Sequence, residues 1–178
     1  MIQKKICMVG PVSVGKTSLV ARYVHSLFSD KYLSTVGVKI DKKQLRLDDT
    51  DLILMLWDLA GDDDFQRLNL TYLRGAAGYL LVADGSRSSS LDQAVEIQAR
   101  IATALGPIPF LLALNKADLA AEWEIPESRI DALKSREWMV RRTSAKEGWG
   151  VNEIFQNLAR RILGRSNSGA EHPSSFHE

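Results

Sequence analysis

Gly10-Pro11-Val12-Ser13-Val14-Gly15-Lys16-Thr17 satisfies every fixed position of the pattern G-x-x-x-x-G-K-[ST], a spacing that builds a glycine-rich cradle for phosphate. The residues on either side supply the setting the pattern needs. Ile6-Cys7-Met8-Val9 reads as a short buried strand, and Ser18-Leu19-Val20-Ala21-Arg22-Tyr23-Val24 reads as a helix. The loop therefore opens a helix N-terminus. There the backbone N–H groups of Ser13, Val14, Gly15, Lys16, Thr17 and Ser18 can surround a β-phosphate with the helix dipole behind them. The Lys16 ammonium is placed to span β- and γ-oxygens, and the Thr17 hydroxyl to ligate Mg²⁺.

Working outward, the chain has 178 residues, which suits one domain with a real core. With 45% hydrophobic and 25% charged residues it has the composition of a soluble globular protein. A net charge of +1 offers no electrostatic case for nucleic acid or an acidic lipid surface. The single cysteine, Cys7, has no internal partner for a disulfide and reads as a small core residue in a cytoplasmic protein. No apolar run is long enough to cross a bilayer.

Residues 25–37 lack periodicity and read as a long loop. Lys39 to Leu47 and Leu52 to Trp57 read as a hairpin turning at Asp48-Asp49-Thr50. Its second strand is apolar throughout, as an internal strand should be, and it delivers Asp58 beside the phosphate loop. Ala77 to Ala83 and Phe110 to Leu114 are further buried strands. Leu91 to Leu105 and Pro126 to Lys134 read as helices, the latter with Pro126 in its first turn. Trp138-Met139-Val140 begins a last strand that runs into Ser144-Ala145-Lys146. Val151, Ile154, Phe155, Leu158 and Ile162 share one face of a final helix. Residues 1–164 form the domain, and 165–178 turn to Ser, Gly, Asn and His as a polar tail.

This alternation predicts an α/β fold. It is a six-stranded, mostly parallel sheet with one antiparallel edge strand and helices on both faces. Ligands of such sheets sit outside the strand C-termini, where the phosphate loop, Asp58, Asn115-Lys116-Ala117-Asp118 and Ser144-Ala145-Lys146 all fall. The Asp118 carboxylate can accept from both guanine N1–H and the exocyclic amine, a pair of donors that adenine lacks on that edge. A guanine nucleotide is thereby selected by hydrogen-bond count.

On these segments the chain resembles the Ras-like small GTPases, and most closely the Rab-like members, from Lys4 to Leu163. The resemblance implies the P-loop GTPase fold and a molecular switch that binds GTP/GDP with Mg²⁺ and hydrolyses GTP. It further implies that Phe28 packs on the guanine, that Tyr32 covers the phosphates, and that Thr35 completes the Mg²⁺ coordination begun by Thr17. Asp58 holds the metal through water, and the Gly61 N–H donates to the γ-phosphate. Asn115, Lys116, Asp118 and Leu119 surround the base, and the Ala145 N–H of Ser144-Ala145-Lys146 reads guanine O6. Lys16, Thr35, Gly61 and Asp62 form the catalytic set. Protein effectors, with exchange or activating proteins, are the implied partners.

Three positions depart from the family pattern. Asp62 stands where the family has its water-positioning glutamine, in Gly61-Asp62-Asp63-Asp64-Phe65. Val12 replaces a small Gly or Ser, and Leu59 replaces a threonine. The first two bear on hydrolysis and leave the binding groups untouched. Two readings follow, a slow GTPase and a GTP-binding interaction module read by effectors with little or no hydrolysis. An ATP-using P-loop kinase is disfavoured by Asn115 to Asp118. The last residues, Pro173 to Glu178, hold no cysteine and residue 2 is Ile, so the expectation is a monomer without a lipid anchor. Trp57, Trp123, Trp138 and Trp149 read as core or rim packing.

Overall fold

Strand β4 (Gly78–Asp84) is buried at all seven positions, as a strand must be when both faces of its sheet are covered. It lies near the centre of a six-stranded sheet in a computed structural model that describes residues 1–31, 34–60 and 70–164. The strands run β2-β3-β1-β4-β5-β6, with β1 (Ile2–Val9), β2 (Val38–Leu47), β3 (Thr50–Leu59), β5 (Phe110–Asn115) and β6 (Val140–Arg142). Every pairing is parallel except the β2–β3 hairpin. That hairpin turns at Asp48, which takes a left-handed φ of 53°. The edge strand β2 alternates between exposed and half-buried positions, while β3 buries Leu52, Leu54 and Leu56.

Helices cover the two faces. Helices α1 (Lys16–His25) and α5 (Val151–Ile162) pack on one face, where Leu19, Val20 and Tyr23 meet Ile154, Phe155 and Leu158 above Ile6, Met8 and Leu54. The rings of Tyr23 and Phe155 stack at 4.0 Å between the two helices. The other face holds the four-residue α2 (Leu70–Leu73), α3 (Ser88–Leu105) and α4 (Glu127–Ser135) over Cys7, Val9, Leu81 and Leu112. Burial pushes the Cys7 thiol up to about 11 despite the nearby Lys5 charge, so it remains an unreactive core group. No described helix is long and apolar enough to cross a membrane.

The architecture is the expected one, with local differences. Pro126 lies outside α4 as its cap, at φ −72° and ψ 150°, instead of inside its first turn. Residues 88–90 extend α3 beyond the expected Leu91 start. Their polar composition hid this, because Ser88 N–H is satisfied by Glu124 Oε2 at 2.7 Å, 36 residues away in sequence. Trp138 is buried edge-on against Phe110 at 5.0 Å, and Trp57 carries the Lys5 ammonium 3.8 Å from its ring centre. Trp149 departs from the packing role expected of it, since 56% of its surface is exposed.

Trp123 closes over Gly85 at the end of β4. Its indole Nε1 donates to the Ile125 carbonyl at 2.8 Å and the Arg142 guanidinium lies 4.9 Å from its ring centre. A Cβ on Gly85 would come within 1.9 Å of the indole. Gly85→Ala is therefore expected to destabilise the domain by about 1–3 kcal/mol through overpacking. Thermal melting should show a drop of roughly 2–4 °C per kcal/mol for a chain of this size, and an unchanged melting point would remove Trp123 as a fixed wall.

Candidate functional site

All the parallel strands point their C-termini to one edge, and the segments that follow them enclose a cleft of about 830 Å³. After β1, the loop runs from Gly10 to Gly15 and α1 starts at Lys16, so the helix N-terminus faces the cleft. Ser13, Gly15, Lys16, Thr17 and Ser18 line it. Val14 is not among the lining residues, and its side chain is fully buried in the core. Lys16 is also buried, and its Nζ donates to the Gly10 and Pro11 carbonyls at 2.8 Å each. Gly15, at φ 100°, has no room for a side chain, because a Cβ would sit 2.2 Å from Asn115 Nδ2.

The far wall is formed after β5 and β6. Asn115 ends β5, donates from Nδ2 to the Val14 carbonyl at 3.0 Å, and accepts at Oδ1 from Thr143 Oγ1 at 3.1 Å and from Ala145 N–H at 3.2 Å. It joins three loops by one buried amide. Lys116 takes a left-handed φ of 66°, and its stem lines the cleft while Nζ reaches Asp84 Oδ2 at 2.9 Å. Burial alone would raise the Asp84 carboxyl, but the Ser86 hydroxyl and N–H together with Lys116 outweigh it and hold the group below the usual carboxylate range.

Asp118 and Leu119 line the cleft beside Ala145 and Lys146. Ser144 stands behind Asp118 and donates from Oγ to Oδ1 at 2.7 Å, while Oγ accepts from Glu147 N–H at 3.0 Å. The carboxylate is thus oriented before any ligand arrives. Arg22 of α1 secures the last loop, with Nε 2.7 Å from the Ala145 carbonyl and Nη2 donating to Lys146 O. Phe28 and Thr35 complete the lining on the side of the loop after α1.

A cluster of oxygen donors lies beside Lys16. Thr17 Oγ1 is 2.6 Å from Asp58 Oδ2 and 2.7 Å from Thr35 Oγ1, and Thr35 Oγ1 is 3.5 Å from the same carboxylate oxygen. Asp58 is fully buried and its Oδ1 has no hydrogen-bond partner. Burial raises its carboxyl above the ordinary range, with the Thr17 hydroxyl and the Lys16 charge acting against the shift. These groups fit a hard divalent cation, which takes hydroxyl, carboxylate and water oxygens. Among the described residues no cluster of three or more His, Cys, Asp or Glu side chains forms a cation cage. Such an ion would also need oxygens from its ligand, as Mg²⁺ commonly does from phosphates.

The structure therefore brings together Ser13, Gly15 to Ser18, Phe28, Thr35, Asn115, Lys116, Asp118, Leu119, Ala145 and Lys146, with Asp58 and Ser144 directly behind. Tyr32, Gly61, Asp62 and the tail from 165 to 178 lie outside the described residues. Of the departing residues, Val12 is half-buried on the cleft wall. Leu59 ends β3 buried at 5% exposure in the α3-side core, which explains an apolar side chain there. Sequence reading missed Arg22, Asp84 and Thr143, each of which has a partner distant in sequence: Ala145 for Arg22, Lys116 for Asp84 and Asn115 for Thr143.

The family model described as Ras family matches residues 5–164. The Ras-related protein Rab-32 of Homo sapiens is 33% identical over 169 residues, covering 89% of this chain and 74% of that protein. Rab-13 of Mesocricetus auratus is 33% identical over 178 residues, covering 96% and 87%. Rab-7L1 of Rattus norvegicus is 32% identical over 170 residues, covering 91% and 83%. With a match spanning nearly the whole domain, the chain belongs to the Ras family and is a Rab-like, GTP-binding small GTPase.

Proposed function

We propose that this protein is a switch that binds GTP and GDP with Mg²⁺ and hydrolyses GTP slowly. One observation carries the reading: the helix N-terminus of the Gly10–Thr17 loop and Asp118 line a single cleft. The N–H groups of the loop and the Lys16 ammonium bind the phosphates. Asp118, pre-oriented by Ser144 Oγ at 2.7 Å, accepts from guanine N1–H and the exocyclic amine. The Ala145 N–H, which donates to Asn115 Oδ1 at 3.2 Å, is the donor this reading assigns to guanine O6 once the base is bound, and Phe28 is assigned to cover the base. Thr17, Thr35 and Asp58 supply the protein's share of the metal site, where Mg²⁺ would neutralise phosphate charge. Tyr32 closes over the phosphates and the Gly61 N–H donates to the γ-phosphate.

Asp62 favours a second reading, a GTP-holding module read by effectors with little turnover. Single-turnover hydrolysis of bound GTP, with and without cell extract, separates the two. A measurable rate that the extract accelerates supports the enzyme with an activating partner. A rate indistinguishable from zero in both supports the module. Equal affinity for ATP and GTP would overturn both. Exchange proteins and effectors are the partners this reading assigns, with the chain acting as a monomer without nucleic acid.

A further inference from the structure

Arg87 sits in the β4–α3 turn, outside the cleft lining, and its Nη2 donates to the Val12 carbonyl of the phosphate loop at 2.9 Å, 75 residues away in sequence. The mount is firm. Arg87 N–H donates to the Asp84 carbonyl at 3.0 Å, and Ser90 Oγ, fully buried, donates to the Arg87 carbonyl at 2.7 Å. Ser88 N–H, next in the chain, is held by Glu124.

The Val12–Ser13 peptide is trans, so its N–H points opposite to its carbonyl. Drawing the Val12 carbonyl outward to Arg87 turns the Ser13 N–H toward the cleft that Val12 and Ser13 line. Ser13 itself sits at φ 63°, a left-handed conformation that costs a residue with a Cβ on the order of 1 kcal/mol and persists where surrounding contacts impose it. Three successive carbonyls of this loop, those of Gly10, Pro11 and Val12, are divided between two cations. Lys16 takes Gly10 and Pro11 from one side, and Arg87 takes Val12 from the other.

We propose that Arg87 is a positioning residue for phosphate binding: by pinning the Val12 carbonyl it holds Ser13 left-handed with its N–H facing the β-phosphate. The proposal rests on the nucleotide reading above. It predicts that the base contacts, which come from β5 and β6, are independent of Arg87.

The test compares GDP with GMP, which lacks the β-phosphate, on unmodified protein and on Arg87→Ala, by displacement of a fluorescent GDP. Arg87→Ala should weaken GDP by about 10- to 150-fold, the scale of one hydrogen bond to a charged group, and leave GMP within about two-fold. In ³¹P NMR of the GDP complex, the β-phosphorus resonance should move while the α-phosphorus resonance stays. In a Ser13→Gly background the Arg87→Ala penalty should shrink to about two-fold, because glycine enters the left-handed region freely. Equal losses for GDP and GMP, an unchanged GDP affinity, or a penalty undiminished by Ser13→Gly would each overturn the proposal. Failure of the unmodified protein to bind GDP would instead overturn the nucleotide reading itself.

Discussion

Asp118→Asn is expected to lower the affinity for GTP by about 10³-fold or more and to move the preference to xanthine nucleotides. An ionised carboxylate only accepts, through two oxygens with about four lone-pair sites. Asp118 Oδ1 already accepts from Ser144 Oγ at 2.7 Å, which leaves capacity for both guanine donors. In the Asn variant one oxygen becomes an NH₂ group. With its carbonyl retained toward Ser144, the amide N–H groups meet the guanine N1–H and amine, donor against donor. Xanthine carries a carbonyl where guanine has the amine, so the same amide finds an acceptor. Titrating nucleotide-free protein with GTP and XTP measures both affinities, and GTP binding unaltered in Asp118→Asn would take the base away from this loop.

Asp62→Gln should speed single-turnover GTP hydrolysis by about 10- to 10³-fold, equivalent to roughly 1.4–4 kcal/mol of transition-state stabilisation. Phosphoryl transfer needs an in-line water and stabilisation of charge on the γ-phosphate. A glutamine can accept from that water and donate through its amide, whereas an ionised aspartate only accepts and is one methylene shorter. Its negative charge, with Asp63 and Asp64 next to it in the chain, also opposes a reaction among phosphate oxygens. GTP affinity should hardly change, because the proposed reading draws the ground-state phosphate contacts from the Gly10–Thr17 loop. A rate unaltered in Asp62→Gln would clear Asp62. The next variant would then be Val12→Gly, which opens the cleft wall where an incoming side chain could approach.

The order of elements was legible because each is announced locally. Apolar runs such as Leu52 to Leu56 specify internal strands, the period of Val151 to Ile162 specifies an amphipathic helix, and glycine with lysine at fixed spacing specifies the phosphate loop. These signals depend on neighbours within about one turn or one pleat, so no alignment of distant segments is needed to read them. The Asn115–Asp118 and Ser144–Lys146 turns were readable for the same reason, once the parallel sheet assigned them to one edge.

The reasons those turns are rigid belong to the tertiary structure. Asn115 joins Val14, Thr143 and Ala145 through one side chain. Arg22 crosses from α1 to the Ala145 and Lys146 carbonyls. Asp84 takes the Lys116 charge, and Arg87 reaches Val12. Arg22, Asp84 and Arg87 are single polar residues with no local pattern to mark them, and their partners are set only when the packed strands and helices bring distant segments together. Hydrophobic periodicity could thus determine which segments pack, but the polar contacts that orient the cleft depended on where the packed strands end.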